Sequence, residues 1–404
     1  MDETLIKSRQ NSTSAVISLL LSVALGLFLA DAGVSLLDDT LILCFGIHTL
    51  AVIRGIMSFL AIMASMLIYL LSGATPMIPK RFAFPIALFI PVAMLALIPL
   101  LTYHYSRLQQ IAWVTSFCQV IFGLCILFWA QGAFRFRWPF VPETKLGHRM
   151  FDWLNLSGFV LINVFVLLPG VLLYLVFCAS LAVDHFSGSF VALRSDGLMV
   201  RARTYVRDDG KTIQLIPMMH IGDAGFYNQI SKSFPTNSVI LLEGVTDNRN
   251  LLKHELSYKR MAKSLGLTEQ KEEFVPVQGQ PRRADVDVEE FSKSSIEFLN
   301  LAALIHSRGL RSDVFLELIQ KSQDPLLTEQ LWEDLLTLRN AHLLKEIKAE
   351  LLHSNRIVVP WGAGHMRGIA VEIQKSGFHL SDTREYKVIN FPSIGNRRLH
   401  SNKK

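Results

Sequence analysis

Ile357-Val358-Val359-Pro360-Trp361-Gly362-Ala363-Gly364-His365 is the stretch that decides the fold. A β-branched run that ends in a glycine-rich turn predicts a buried strand, with a histidine just past its carboxyl end. Open α/β sheets expose their chemistry at that edge. A second histidine has the same setting: Thr212 to Met219 predicts a strand, His220 ends it, and a helix is expected from about Ala224. Between the two, Ser238 to Leu242 predicts a third apolar strand ending on Glu243. Three strand ends therefore offer His, Glu and His.

The rest of this half of the chain fits one α/β domain with a mixed sheet and a strand-end active site. Leu198 to Val206 and Thr212 to Met218 predict a hairpin turning at Asp208-Asp209-Gly210. Helices are expected over Leu251 to Leu265, Val288 to His306, Val314 to Lys321, Glu329 to Leu352 and Met366 to about Lys375. Thr268 to Arg283 reads as a polar loop, Lys387 to Phe391 as a late strand, and the basic tail from residue 393 to 404 as flexible.

Composition divides the chain. Residues 1–184 carry ten Lys/Arg and eight Asp/Glu against thirty and twenty-six in residues 185–404. The first part predicts an α-helical transmembrane domain. Ala15 to Leu37, Gly55 to Leu71, Ala83 to Leu101, Gln109 to Gly132 and Leu156 to Val183 are each long enough to cross ~30 Å of hydrocarbon at ~1.5 Å per residue. That makes about five spans, with Leu41 to Ile53 a short interfacial or re-entrant piece. Lys7, Arg9, Lys80, Arg81, Arg135, Arg137, Lys145 and Arg149 crowd alternate loops, while Asp31, Asp38 and Asp39 mark the first opposite loop. This places the amino terminus in the cytoplasm and residues 185–404 outside, which is the periplasmic face of the inner membrane if the source is a Gram-negative bacterium. Arg54 is expected to snorkel, and the scarcity of intramembrane charge argues against an ion pathway.

All four cysteines, Cys44, Cys118, Cys125 and Cys178, fall in apolar segments, which leaves the second domain without disulfides, a Cys nucleophile or a thiolate metal site. The net charge of +6 is too diffuse to argue for nucleic acid. There is no phosphate-binding loop, no dinucleotide fingerprint and no repeat.

Gly362-x-x-His365 followed by Gly368-Ile369, the strand-end His220 and Glu243, and Arg339-Asn340 on a late helix resemble the TraB/TIKI-like family over residues 190 to 392. That family groups TraB, PrgY and GumN proteins with the Wnt-cleaving TIKI metalloproteases, within a ChaN and erythromycin-esterase-like superfamily. The chain has Pro217-Met218-Met219-His220 where the family has Gly-x-x-His, and Glu243 is followed by Gly244, with Arg249 the nearest arginine. The resemblance implies a metallohydrolase acting on peptides or protein amino-terminal segments, or a regulatory relative that binds a peptide in the same cleft.

Two neutral imidazoles and a carboxylate, His220, Glu243 and His365, suit a divalent Mn, Co, Zn or Fe ion, which would bring a bound water towards pKa ~7. Arg339 would hold a substrate carboxylate or stabilise an oxyanion, and Glu243 joins it as a catalytic candidate. Asp285 and Asp287 are further candidates for a ligand or base, or else a favourable start to the next helix. Asp223 would cap the helix from Ala224 or orient His220, Glu243 could instead pair with Arg249, and His342 reads as structural. The expected partners are the lipid bilayer and a peptide or protein substrate.

Overall fold

The computed structural model describes residues 3–133, 136–253, 257–308, 312–322 and 324–391, so the basic tail lies outside the described residues. The chain divides into two compact units, Met1–Leu181 and Ala182–Lys404.

The first unit is helical: α1 Glu3–Phe45, α2 Ala51–Ala74, α3 Lys80–His104, α4 Leu108–Gln131, α5 Trp153–Ile162 and α6 Leu168–Phe186, the last two joined by a π-helical turn. Among the described residues four stretches, Ser12–Phe45, Ala51–Ala74, Lys80–Gln131 and Trp153–Phe186, are long and apolar enough to cross a membrane. The third is broken at Tyr105–Arg107, and the ring of Phe82 meets Trp129 while Phe89 meets Phe122, so α3 and α4 run back along each other. Leu21, Leu25 and Phe28 of α1 are fully buried at the centre of this unit. A side chain in place of Gly123 on α4 would collide with Leu29 of α1, which is why a small residue stands at that crossing.

Two expectations change here. Leu41 to Ile53 forms no separate piece: Leu41–Phe45 is the last turn of α1, and Ala51–Ile53 opens α2. The break is set by Gly46 at φ +67°, whose left-handed conformation lets the amides of Gly46 and Ile47 bond back to Ile42 and Leu41. Asp31, Asp38 and Asp39 lie inside α1 and are buried, so they are not loop charges, and Arg54 pairs with Asp38 and Asp39.

The second unit contains β1 Val191–Arg194, β2 Gly197–Val206, β3 Thr212–Met218, β4 Ile221–Gly222, α7 Ala224–Lys232, β5 Val239–Leu242, α8 Lys259–Ser264, β6 Thr268–Glu269, α9 Gln270–Glu273, β7 Gln280–Arg283, α10 Lys293–Arg308, α11 Ser312–Ser322, α12 Pro325–Trp332, α13 Arg339–Glu350, β8 Arg356–Gly362, α14 Ala363–Lys375 and β9 His379–Asn390. The main sheet has the order β1-β2-β3-β8-β5-β7, with β9 also paired to β2; β4 and β6 form a small separate pair. It is mixed: β3, β8, β5 and β7 are parallel, whereas β2 is antiparallel to β1, β3 and β9.

Alternation along the strands builds a core on each face. Ile357, Val359 and Trp361 join Ile213 and Leu215 against Leu343 and Ile347 of α13 and Ile369 and Ile373 of α14. Val358 joins Ile216, Met218 and Ile240 against Phe226, Tyr227 and Ile230 of α7.

Several elements depart from expectation. Among the described residues of Leu251 to Leu265, helix is confined to α8. The expected loop Thr268 to Arg283 contains β6, α9 and the edge strand β7, whose Gln-Pro-Arg-Arg is exposed throughout and so lacks any buried alternation. The expected helix Glu329 to Leu352 is α12 and α13 joined by a π-helical turn, Glu333–Leu338, that leads directly into Arg339. The late strand extends to twelve residues, since β9 needs only Tyr386 and Val388 buried to pair along β2.

The fully buried Trp361 indole donates from Nε1 to the Leu241 carbonyl at 3.0 Å. Trp361→Ala should therefore destabilise the second unit by about 3–5 kcal/mol, combining a cavity with an orphaned acceptor. Leu352→Ala, at a side chain 78 % exposed, should stay within about 0.5 kcal/mol. Urea denaturation followed by circular dichroism checks both.

Candidate active site at the carboxyl edge of the parallel strands

Because β3, β8, β5 and β7 are neighbours and parallel, their carboxyl ends share one edge of the sheet. His220 lies two residues past β3, His365 three past β8, Glu243 one past β5 and Asp285 two past β7. Arg339 and Asn340 enter from the first turn of α13.

Arg339 is the hub. Its Nε donates to Asp285 Oδ1 at 3.0 Å and its Nη2 to Asp285 Oδ2 at 2.6 Å, a two-point fork. Nη2 also reaches Glu243 Oε1 at 2.8 Å, and Nη1 stands 3.2 Å from His365 Nε2. The Asp285 side chain is fully buried, and Arg339 and Glu243 are 12 % and 14 % exposed. Asp285 also accepts from the amides of Gly244 and Val286, and Glu243 Oε2 from the amide of Gly362.

The same geometry fixes the histidine's tautomer. A guanidinium can only donate, so His365 Nε2 is the acceptor nitrogen, and Nδ1 carries the proton that it donates to Asn340 Oδ1 at 2.8 Å. Burial, helped by the positive charge of Arg339 and opposed by Glu243 and Asp285, pushes the His365 pKa down from 6.5 to about 4. The imidazole is therefore neutral at pH 7. Burial also works against the charge of Arg339, but the bonds to Asp285 and the charge of Glu243 outweigh it and hold that group above its ordinary value. Below the site lies Trp361, with the His365 ring edge-on at 5.3 Å and the guanidinium 5.4 Å from its centroid.

The motif glycines have spatial reasons. A Cβ at Gly362 would stand 3.3 Å from the Glu243 carboxylate, and one at Gly368 would stand 3.0 Å from Asn340 Nδ2. Both positions are kept bare so that the carboxylate and the amide can lie against α14.

Of the residues singled out in the sequence, Glu243, Arg339 and His365 meet in one network, joined by Asp285. His220 shares the sheet edge but is exposed, and its ring stacks on Tyr258 with centroids 5.0 Å apart and 4° between planes. Asp287 completes a capping box with Glu290 and so starts the short helical turn that follows it. Asp223 precedes α7 without a capping bond; its carboxylate accepts from Asn390 instead of orienting His220. Arg249 pairs with Glu289, not Glu243. Asn340 was visible in the sequence only as the neighbour of Arg339, and Tyr258 carried no signal at all.

For a divalent ion the donor types are suitable, but each donor is already engaged by a neighbour. Both Glu243 oxygens accept hydrogen bonds, His365 Nε2 faces a guanidinium, and among the described residues no group of three or more His, Cys, Asp or Glu side chains could hold a metal. As arranged, the site does not fit a resident ion.

No family model, no curated protein and no solved structure matches the chain.

The depressed His365 pKa has a signed consequence. Its contribution to stability is fully present above the unfolded value near 6.5 and is lost as pH falls towards about 4. The second unit should lose up to about 3 kcal/mol over that window through this group. His365→Gln should flatten that part of the profile, which denaturation from pH 7 to pH 4 measures.

Proposed function

We propose that this protein is a membrane-anchored hydrolase of the TraB/TIKI-like type, cleaving peptides or protein amino-terminal segments at the carboxyl edge of the parallel strands. The observation that carries the reading is the neutral His365, held by Asn340 with its Nε2 lone pair turned to the Arg339 guanidinium. A substrate carbonyl that draws Arg339 Nη1 onto its oxygen uncovers that lone pair. His365 then takes a proton from the attacking water, Glu243 at 3.6 Å stabilises the imidazolium, and Arg339 stabilises the oxyanion. The proton passes to the departing amine as the acyl bond breaks. Asp285, bonded to Arg339 at two points, keeps the guanidinium in the site throughout.

The metal expectation, with His220, Glu243 and His365 as ligands, rests on donor chemistry alone. A second reading is favoured by the saturation of Arg339: a peptide carboxylate could replace Glu243 on the guanidinium and be retained without turnover.

Incubating the full chain in detergent with a diverse peptide library, with chelator or with Mn²⁺, Co²⁺ or Zn²⁺, and following products by mass spectrometry separates these. Cleavage that falls 10²–10⁴-fold in His365→Ala and at least tenfold in Glu243→Gln is expected. Retained peptide with no product under any condition would leave the binding reading.

For topology we propose five crossings, counting α3 and α4 separately and α5 with α6 as one, with the amino terminus in the cytoplasm and the second unit on the periplasmic side of an inner membrane. Support comes from the basic residues Lys80, Arg81, Arg137, Lys145 and Arg149 in alternate connections. A reporter active only outside should work when fused at Ser195 and fail at Thr144; the reverse pattern would invert the orientation.

A further inference from the structure

The stack of His220 on Tyr258 borders the site without joining the network around Arg339. Met218 of β3 pairs with Gly362 of β8, and neighbouring strands lie about 4.8 Å apart. His220, two residues past one strand, and His365, three past the other, therefore leave adjacent strand ends. A charge on His220 acts on His365.

One short strand aligns both rings. β4 follows His220 directly and pairs with β6, and the Gln270 amide just after β6 donates to the His220 carbonyl at 2.9 Å. Glu269 of β6 is 6 % exposed, and its carboxylate holds the segment that carries the second ring: Oε1 accepts from the Tyr258 amide at 2.9 Å and Oε2 from the Ser257 hydroxyl at 3.2 Å. A buried carboxylate is costly unless it is well bonded, so the clasp is a built feature. What it aligns is open to solvent. His220 is exposed although Tyr258 covers one face of its ring, with 4° between the planes.

The surface beyond the rings is apolar. Met261 and Leu265, three and seven residues after Tyr258 and so at helical spacing from it along α8, are 46 % and 64 % exposed. Exposed apolar groups grouped beside a candidate site mark a binding surface more than scattered ones do. Lys259, Arg260 and Lys263 lie among them, all exposed, and disfavour a cationic side chain there. A flat ring laid on the open imidazole face would gain the burial of its own area and a ring–ring contact.

We propose that the His220–Tyr258 stack is the specificity subsite of this edge, seating an aromatic side chain of the substrate peptide within about two residues of the scissile bond, at ~3.3 Å per residue, with Met261 and Leu265 receiving apolar residues beyond it. This rests on the hydrolase reading for the bond that is cut, whereas the seating of the ring is a matter of binding alone.

The test runs in two arms with the full chain in detergent. In one, a random peptide library is digested and the cut positions are sequenced by mass spectrometry; in the other, the same library is passed over immobilised His365→Ala chain and the retained peptides are sequenced. Phe, Tyr and Trp should be enriched about tenfold over Ala near the cut and in the retained fraction. His220→Ala and Tyr258→Ala, added to either chain, should each bring that ratio below about twofold, while Tyr258→Phe, which keeps the ring, and Leu352→Ala, at the opposite edge of the sheet, should preserve it. The ratio is internal to each sample, so a variant that folds less well lowers the yield and not the preference. Absence of aromatic enrichment in both arms would overturn the subsite, as would enrichment that survives His220→Ala and Tyr258→Ala, enrichment of acidic residues in its place, or no cleavage together with no retention. Aromatic enrichment among retained peptides with no product in the digest would keep the subsite and remove the hydrolase.

Discussion

The geometry of the site hangs on how one guanidinium is shared. Arg339 is bonded at two points by a fully buried aspartate, Asp285, and touched at a third by Glu243. Removing one partner of such a buried pair typically costs 3–5 kcal/mol, because the remaining charge is stranded. The arrangement is therefore a rigid frame more than a source of stability. Asp285 fixes where Arg339 can be, and Arg339 then fixes which nitrogen of His365 is bare. Asn340 gives the same instruction from the opposite side of the ring.

That frame explains choices elsewhere in the second unit. Arg339, Leu343 and Ile347 recur every four residues on one face of α13, so the helix that buries Leu343 and Ile347 in the core also brings Arg339 to the strand ends. Trp361 serves both layers: its indole bonds to Leu241, and its ring is the floor under the imidazole and the guanidinium. Gly362 and Gly368 are bare where the Glu243 carboxylate and the Asn340 amide must pass. The run that ends in His365 is thus shaped by three neighbours from distant parts of the chain.

Much of this was legible in the sequence, for identifiable reasons. β3, β5 and β8 are buried on both faces, so their apolar runs stand out, and the polar residue that ends each run stands out with them. Glu243 and His365 stand out in this way, Arg339 only through the family resemblance of its helix, and the three do meet. β7 was hidden because an exposed edge strand of Gln-Pro-Arg-Arg has no buried alternation to read. The weight of Asp285 was hidden with it, since its role depends on β7 lying beside β5. His220 was equally conspicuous in the sequence, yet a strand end fixes only the edge on which a side chain lies, not the neighbour it turns to, and this one turns to Tyr258. In the first unit, Asp31, Asp38 and Asp39 looked like loop charges because acidic residues are rare inside spans. Their helical spacing was the available sign that they share a buried face.

The most direct test is ¹⁵N NMR of the full chain with its histidines labelled, with His365 assigned by its loss in His365→Gln. If Arg339 and Asn340 hold the ring as described, Nδ1 carries the proton, Nε2 is unprotonated, and the resonances stay unchanged from pH 7.5 to pH 5, because protonation waits until about pH 4. A proton on Nε2, or a midpoint near the ordinary 6.5, would contradict the account.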